Sequence, residues 1–136
     1  MKLIRAASLI TLLAFASVVL SASDKRETPC KTNENAQSCY WTHGRLGCGN
    51  GTPSCRLWKV GTHRILGIYS GPSVDRAGLD NEHPEFPANV ERALDLWNPN
   101  RHRIFADFEV CPLSPETPDA MQPACIEAAK DIVSEK

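Results

Sequence analysis

The chain has 136 residues, the size of one domain, with 15 basic and 16 acidic side chains and a formal net charge of −1. That balance argues against a dedicated nucleic-acid binder, which needs a strongly basic face. Six cysteines without a C-x-x-C spacing argue against a thioredoxin-type redox site and a zinc ribbon.

Residues 1–23 read as a secretory signal peptide. Lys2 and Arg5 supply the positive start, Ala6 to Leu20 the apolar run, and Ser21-Ala22-Ser23 the small residues before cleavage. The run is too short and wrongly flanked for a spanning helix, and no later segment is long and apolar enough. Leu20-Ser21-Ala22-Ser23 has the form of a bacterial lipoprotein box with serine where the lipidated cysteine must stand. The expected product is an exported protein, secreted or periplasmic, without a stable membrane anchor. In that oxidising setting the six cysteines form a disulfide framework.

Residues 24–38 are polar, with no large apolar side chain, and read as an arm pinned by Cys30; residues 39–136 read as a single small β-rich domain. Cys39 to Leu46, Cys55 to Val60 and His63 to Tyr69 are rich in β-formers and predict a three-stranded antiparallel meander. Asn50-Gly51 marks the first turn and Gly61-Thr62 the second. Ser70 to Asn89 is an irregular connection punctuated by Pro72, Gly78, Pro84 and Pro87. Val90 to Trp97 predicts a short helix capped by Asn89, with Val90, Leu94 and Trp97 on one face, stopped by Asn98-Pro99-Asn100.

Ile104 to Cys111 alternates cleanly: Ile104, Ala106, Phe108 and Val110 point one way, Asp107 and Glu109 the other. Pro123 suits the first position of a C-terminal helix whose apolar stripe is Cys125, Ile126, Ala129, Ile132 and Val133. The expected fold class is α+β and β-rich: a small antiparallel meander or an oligonucleotide/oligosaccharide-binding-like (OB-like) half-barrel, disulfide-stapled, with a C-terminal helix.

Cys48 and Cys55 bracket a turn and are expected to pair. Cys111 ends a strand and Cys125 opens the expected helix, so a second bridge joins helix to sheet. Cys30 and Cys39 are left over, with a distant partner for Cys30 still open.

Four runs carry a resemblance: Thr42-His-Gly-Arg-Leu46, Asn50-Gly-Thr-Pro-Ser-Cys-Arg-Leu-Trp58, Gly61-Thr-His-Arg-Ile-Leu-Gly-Ile68 and Phe105-Ala-Asp-Phe-Glu-Val-Cys-Pro112. They are similar to runs in small exported bacterial proteins of unknown function. The resemblance spans roughly residues 39–128 and implies export, with no activity attached.

No nucleophile elbow, zinc-protease helix, calcium loop or phosphate-cradling glycine motif is present, and no cofactor is expected. His43 and His63 lie near strands that a carboxylate such as Asp107 can reach, which outlines a small hydrolase as an alternative. Asp107 and Glu109 share one strand face and are expected to pair with Arg45, Arg56 or Arg64. Tyr40, Trp41, Trp58 and Tyr69 are first claimed by a small β core.

From Asn35 to Val74 there is no Asp or Glu. Arg45, Arg56, Trp58, Lys59 and Arg64 within that stretch form the candidate ligand surface, with Trp58 its best single member. The reading favoured is a non-catalytic extracytoplasmic binding module for a glycan, an envelope component or a protein. A purely structural or inhibitory secreted domain is the third class.

Overall fold

The computed structural model describes residues 26–95 and 103–135. The expected signal peptide and the expected roles of Trp97 and the Asn98-Pro99-Asn100 stop therefore lie outside the described residues.

Five strands close a barrel: β1 (Tyr40–Cys48), β2 (Cys55–Lys59), β3 (Ile65–Ile68), β4 (Arg103–Pro112) and β5 (Gln122–Ser134). Their order around the barrel is β1-β2-β3-β5-β4. β3 pairs with β5 in parallel and every other neighbouring pair is antiparallel. Closure leaves no exposed sheet edge, so the half-barrel expectation becomes a full barrel. Two short helices, α1 (Leu79–Glu82) and α2 (Ala88–Leu94), connect β3 to β4.

The alternation read in Ile104 to Val110 holds, with all four inward residues fully buried. They meet Leu46, Leu57, Leu66, Ile68, Ala124 and Ile126 in one core, which Phe86, Val90 and Leu94 complete from the β3–β4 connection. Each large side chain buried there contributes about 1.5–3 kcal/mol relative to exposure. Asn89 does not cap α2. Pro87 is the N-cap, and the Asn89 side-chain amide donates instead to the Ala129 carbonyl at 2.8 Å.

The expected C-terminal helix is a strand. Two single-residue bulges create its helix-like spacing. Asp107 and Phe105 pair with Lys130 and Val133, and Glu109 and Val110 pair with Ala128 and Ile126, so β5 carries one extra residue at each step. Asp131, at φ 55°, is the extra residue of one step. The bulges shift the phase of alternation, so Ile126, Ala129 and Ile132 all reach the barrel core, while Cys125 is buried on the other face under the arm. Pairing to β3 and β4 overrides the helix propensity of the Ala-Glu-Lys composition.

The disulfides are Cys48–Cys55, Cys39–Cys111 and Cys30–Cys125, with no free cysteine. The first is as expected. The other two correct the expected Cys111–Cys125 pair and give Cys30 the distant partner that was left open, because the arm is laid across the ends of β4 and β5 rather than folded on itself. Three disulfides point to an oxidising, extracytoplasmic environment. No described helix is long and apolar enough to cross a membrane.

The arm is fastened beyond its cysteines. The Arg26 guanidinium donates to the carbonyls of Ile126, Ser70 and Glu85, the last at 2.8 Å. The Glu85 carboxylate accepts the backbone N–H groups of Glu27 and Thr28 at 2.6 and 2.8 Å. Burial pushes the Arg26 pKa down, against the pull of Glu85 and other nearby acids.

Candidate functional site

Strand register places Val133, Phe105, Arg45, Trp58 and Ile65 side by side across β5, β4, β1, β2 and β3. They point outward and form a continuous belt across the five strands. Trp58 is 37% exposed, Ile65 46% and Val133 62%, and Trp41, two positions before His43, is 48% exposed. Trp41 and Trp58 therefore do not serve the core, as a small β domain led one to expect. The interior is filled by aliphatic side chains and Phe108.

Beside this belt lies a groove of about 360 Å³, lined by Arg56 of β2, His63 and Arg64 of the β2–β3 turn, Ile65 of β3, and Asp119, Ala120 and Met121 of the β4–β5 loop. Each wall is held in place. Arg64 is ion-paired with Glu116, which ties the turn to the β4–β5 loop. The turn is braced by Thr62, whose hydroxyl donates to the Lys59 carbonyl and accepts the Arg64 N–H, at 2.7 and 3.0 Å. The Trp58 indole N–H donates to the Thr62 carbonyl at 2.7 Å, which fixes the ring beside the groove.

Gly67 closes one end. A Cβ there would lie 2.8 Å from Cγ of Pro53 and 3.5 Å from Sδ of Met121, so the β1–β2 and β4–β5 loops meet over β3 because residue 67 has no side chain. Gly51 serves Arg56 in the same way. Its φ is +126°, and a Cβ there would stand 2.8 Å from an Arg56 Nη. The guanidinium thus lies against the tip of the β1–β2 loop. The side chains of Arg56, His63 and Asp119 have no hydrogen-bond or ion-pair partner among the described residues.

Of the five residues proposed for the ligand surface, Arg56 and Arg64 line the groove and Trp58 borders it. Arg45 lies in the same belt but is engaged by Glu135, with two of its nitrogens within 3.2 Å of the carboxylate. Lys59 turns away, its ammonium 4.8 Å from the centre of the Tyr40 ring. Asp119 and Met121 were not legible as site residues, because only barrel closure brings the β4–β5 loop against β2 and β3.

The hydrolase candidates separate. His43 and Asp107 are cross-strand partners, joined Nδ1 to Oδ1 at 2.9 Å. The imidazole stacks on Phe105 at 6.4 Å between centroids. His63 lies in the groove instead. His43 and Asp107 stand on the open outer face, with side-chain exposures of 54% and 37%. Asp107 and Glu109 do not reach the arginines expected for them: Asp107 holds His43 and Glu109 holds Lys31. Among the described residues no cluster of three or more His, Cys, Asp or Glu is placed to hold a metal ion.

A larger cavity of about 560 Å³ lies within the β3–β4 connection, between residues 83–86 and α2, with Phe86 and Leu94 among its lining and His83, Glu85, Glu91, Arg92 and Asp95 the polar members. No family model, curated protein or solved structure matches the chain.

Proposed function

We propose that this protein is an exported, non-catalytic binding module that takes an extracytoplasmic ligand in the groove between β2, β3 and the β4–β5 loop. The reading joins the signal-peptide pattern and the likeness to exported bacterial proteins to the barrel's geometry. Strand order β1-β2-β3-β5-β4, with the helices between β3 and β4, supports an OB-type barrel. Barrels of that type bind ligands on the β2–β3 face between the β1–β2 and β4–β5 loops. Architecture alone does not carry function, so the weight rests on the groove itself.

The observation that carries the reading is Arg56: a cation whose side chain has no partner among the described residues, positioned by Gly51, beside an exposed tryptophan whose orientation is fixed. A partnered surface arginine contributes little; one held open beside a rigid aromatic face is arranged for a ligand. The test is retention on isolated cell-envelope glycan. Wild-type protein should be retained, and Arg56→Ala should be released at lower salt with an unchanged melting temperature. Equal retention of both would sink the reading.

The hydrolase alternative keeps one favourable observation, the His43–Asp107 hydrogen bond, which fixes one ring nitrogen and leaves the other toward solvent. No cavity described here contains either residue. Loss of a hydrolytic activity in His43→Gln would be needed to revive it.

A further inference from the structure

We propose that the groove's ligand is a carboxylated sugar residue: a singly charged, hydroxyl-rich ring. This rests on the binding reading above and names its substrate class.

Three features of the groove define the chemistry. Arg56 and Trp58 are two residues apart on β2, so their side chains leave the same face roughly 7 Å apart. A sugar ring lying on the indole can then extend its carboxylate to the guanidinium. The planar fork of Arg56, free of other partners among the described residues, suits a carboxylate held through two parallel hydrogen bonds. Asp119 in the same groove is an acceptor without a donor among the described residues, suited to ring hydroxyls and repelling further negative charge.

Charge bookkeeping narrows the class. Arg64 is already matched by Glu116, and Asp119 offsets Arg56, leaving no surplus of fixed positive charge from the arginines. Polyphosphate or a nucleic-acid strand needs a track of unpaired cations and repeated stacking platforms. Among the described residues the groove offers one unpaired guanidinium and one neighbouring indole. Ile65 and Met121 supply apolar wall for the C–H faces of a ring, which a bare inorganic anion would leave unused.

The test uses calorimetry with the disulfide-intact protein and three carboxylated probes: oligogalacturonate, hyaluronan fragments and sialyllactose. Each is paired with its methyl ester, which keeps the rings and removes the charge. Tripolyphosphate is the polyanion control. At least one acid should bind at least tenfold more tightly than its ester and than tripolyphosphate. Arg56→Gln should remove that preference, Arg56→Lys should restore only part of it, and Trp58→Ala should weaken acid and ester alike.

An ester that binds as well as its acid overturns the carboxylate while the groove reading stands, provided Trp58→Ala still weakens it. Tighter binding of tripolyphosphate, or no binding of any acid at millimolar concentration, overturns the sugar class. Acid binding that is indifferent to both Arg56→Gln and Trp58→Ala overturns this assignment and the groove together.

Discussion

Cys111 and Cys125 face each other as register partners on β4 and β5, yet neither is bonded to the other. Each reaches out to the arm, Cys111 to Cys39 and Cys125 to Cys30, and the four sulfurs form a second buried cluster beside the barrel core. The sequence separations closed are 72 and 95 residues, against 7 for Cys48–Cys55. In the chain-entropy picture the two long closures restrict the unfolded chain by about 4–5 kcal/mol each and the short one by about 2 kcal/mol.

A ranking of disulfide variants follows. The Cys39→Ser/Cys111→Ser and Cys30→Ser/Cys125→Ser pairs should each lower the urea unfolding free energy more than Cys48→Ser/Cys55→Ser does. Peptide mapping of the native protein without reduction should return the three pairs named. Recovery of a Cys111–Cys125 peptide from freshly folded protein would contradict the arm's placement.

The arm should loosen in acid. Burial alone would raise the Glu85 carboxyl, but the N–H groups of Thr28 and Glu27, helped by Arg26, outweigh it and hold the group below its ordinary value. A carboxyl lowered by folding adds stability above its unfolded pKa and loses it as pH falls through the folded value. Amide exchange at Glu27 and Thr28 should therefore be slow near pH 6 and accelerate, beyond the intrinsic trend, below about pH 4. In Glu85→Gln that acid step should vanish. An unchanged step would assign it to another carboxylate.

How much of this was readable beforehand depended on the range of the interactions. β1, β2, β3 and β4 were visible because alternation and turn residues act locally, as in Ile104 to Val110 and Asn50-Gly51. β5 was not, because its bulges at residues 127 and 131 imitate helical spacing and only its neighbours reveal the strand. Arg56, Arg64 and Trp58 stood out within an acid-free stretch. Which of the basic residues remain free was hidden, since Glu135 and Glu116 come to Arg45 and Arg64 from distant parts of the chain. Pairing Cys48 with Cys55 needed only a hairpin; pairing Cys30 with Cys125 needed the whole barrel.

Gly51 should prove to be a positioning residue for Arg56. Gly51→Ala meets two obstacles: a φ of +126°, which L side chains rarely adopt, and a Cβ 2.8 Å from the guanidinium. The backbone strain costs roughly 1–3 kcal/mol, and the arginine must move. Ligand affinity should fall toward that of Arg56→Ala while secondary structure by circular dichroism is retained. Gly49→Ala, where an added Cβ meets nothing within 4 Å, is the control and should leave affinity unchanged.

Leu57 and Trp58 are adjacent on β2 and should separate stability from binding. Leu57 is fully buried inside the barrel and Trp58 is 37% exposed outside it. Leu57→Ala removes core volume and should cost about 2–5 kcal/mol. Trp58→Ala loses the bond to Thr62 and some outer packing against its register partners Arg45 and Ile65, a cost of about 1 kcal/mol. Its effect on ligand affinity should be larger than its effect on stability, because a ring stacked on the indole loses its platform. Chemical denaturation and calorimetry on the same two variants decide the matter. If Trp58→Ala destabilises as much as Leu57→Ala, the indole is structural cover for the barrel. The search for a ligand surface would then move to the cavity between residues 83–86 and α2.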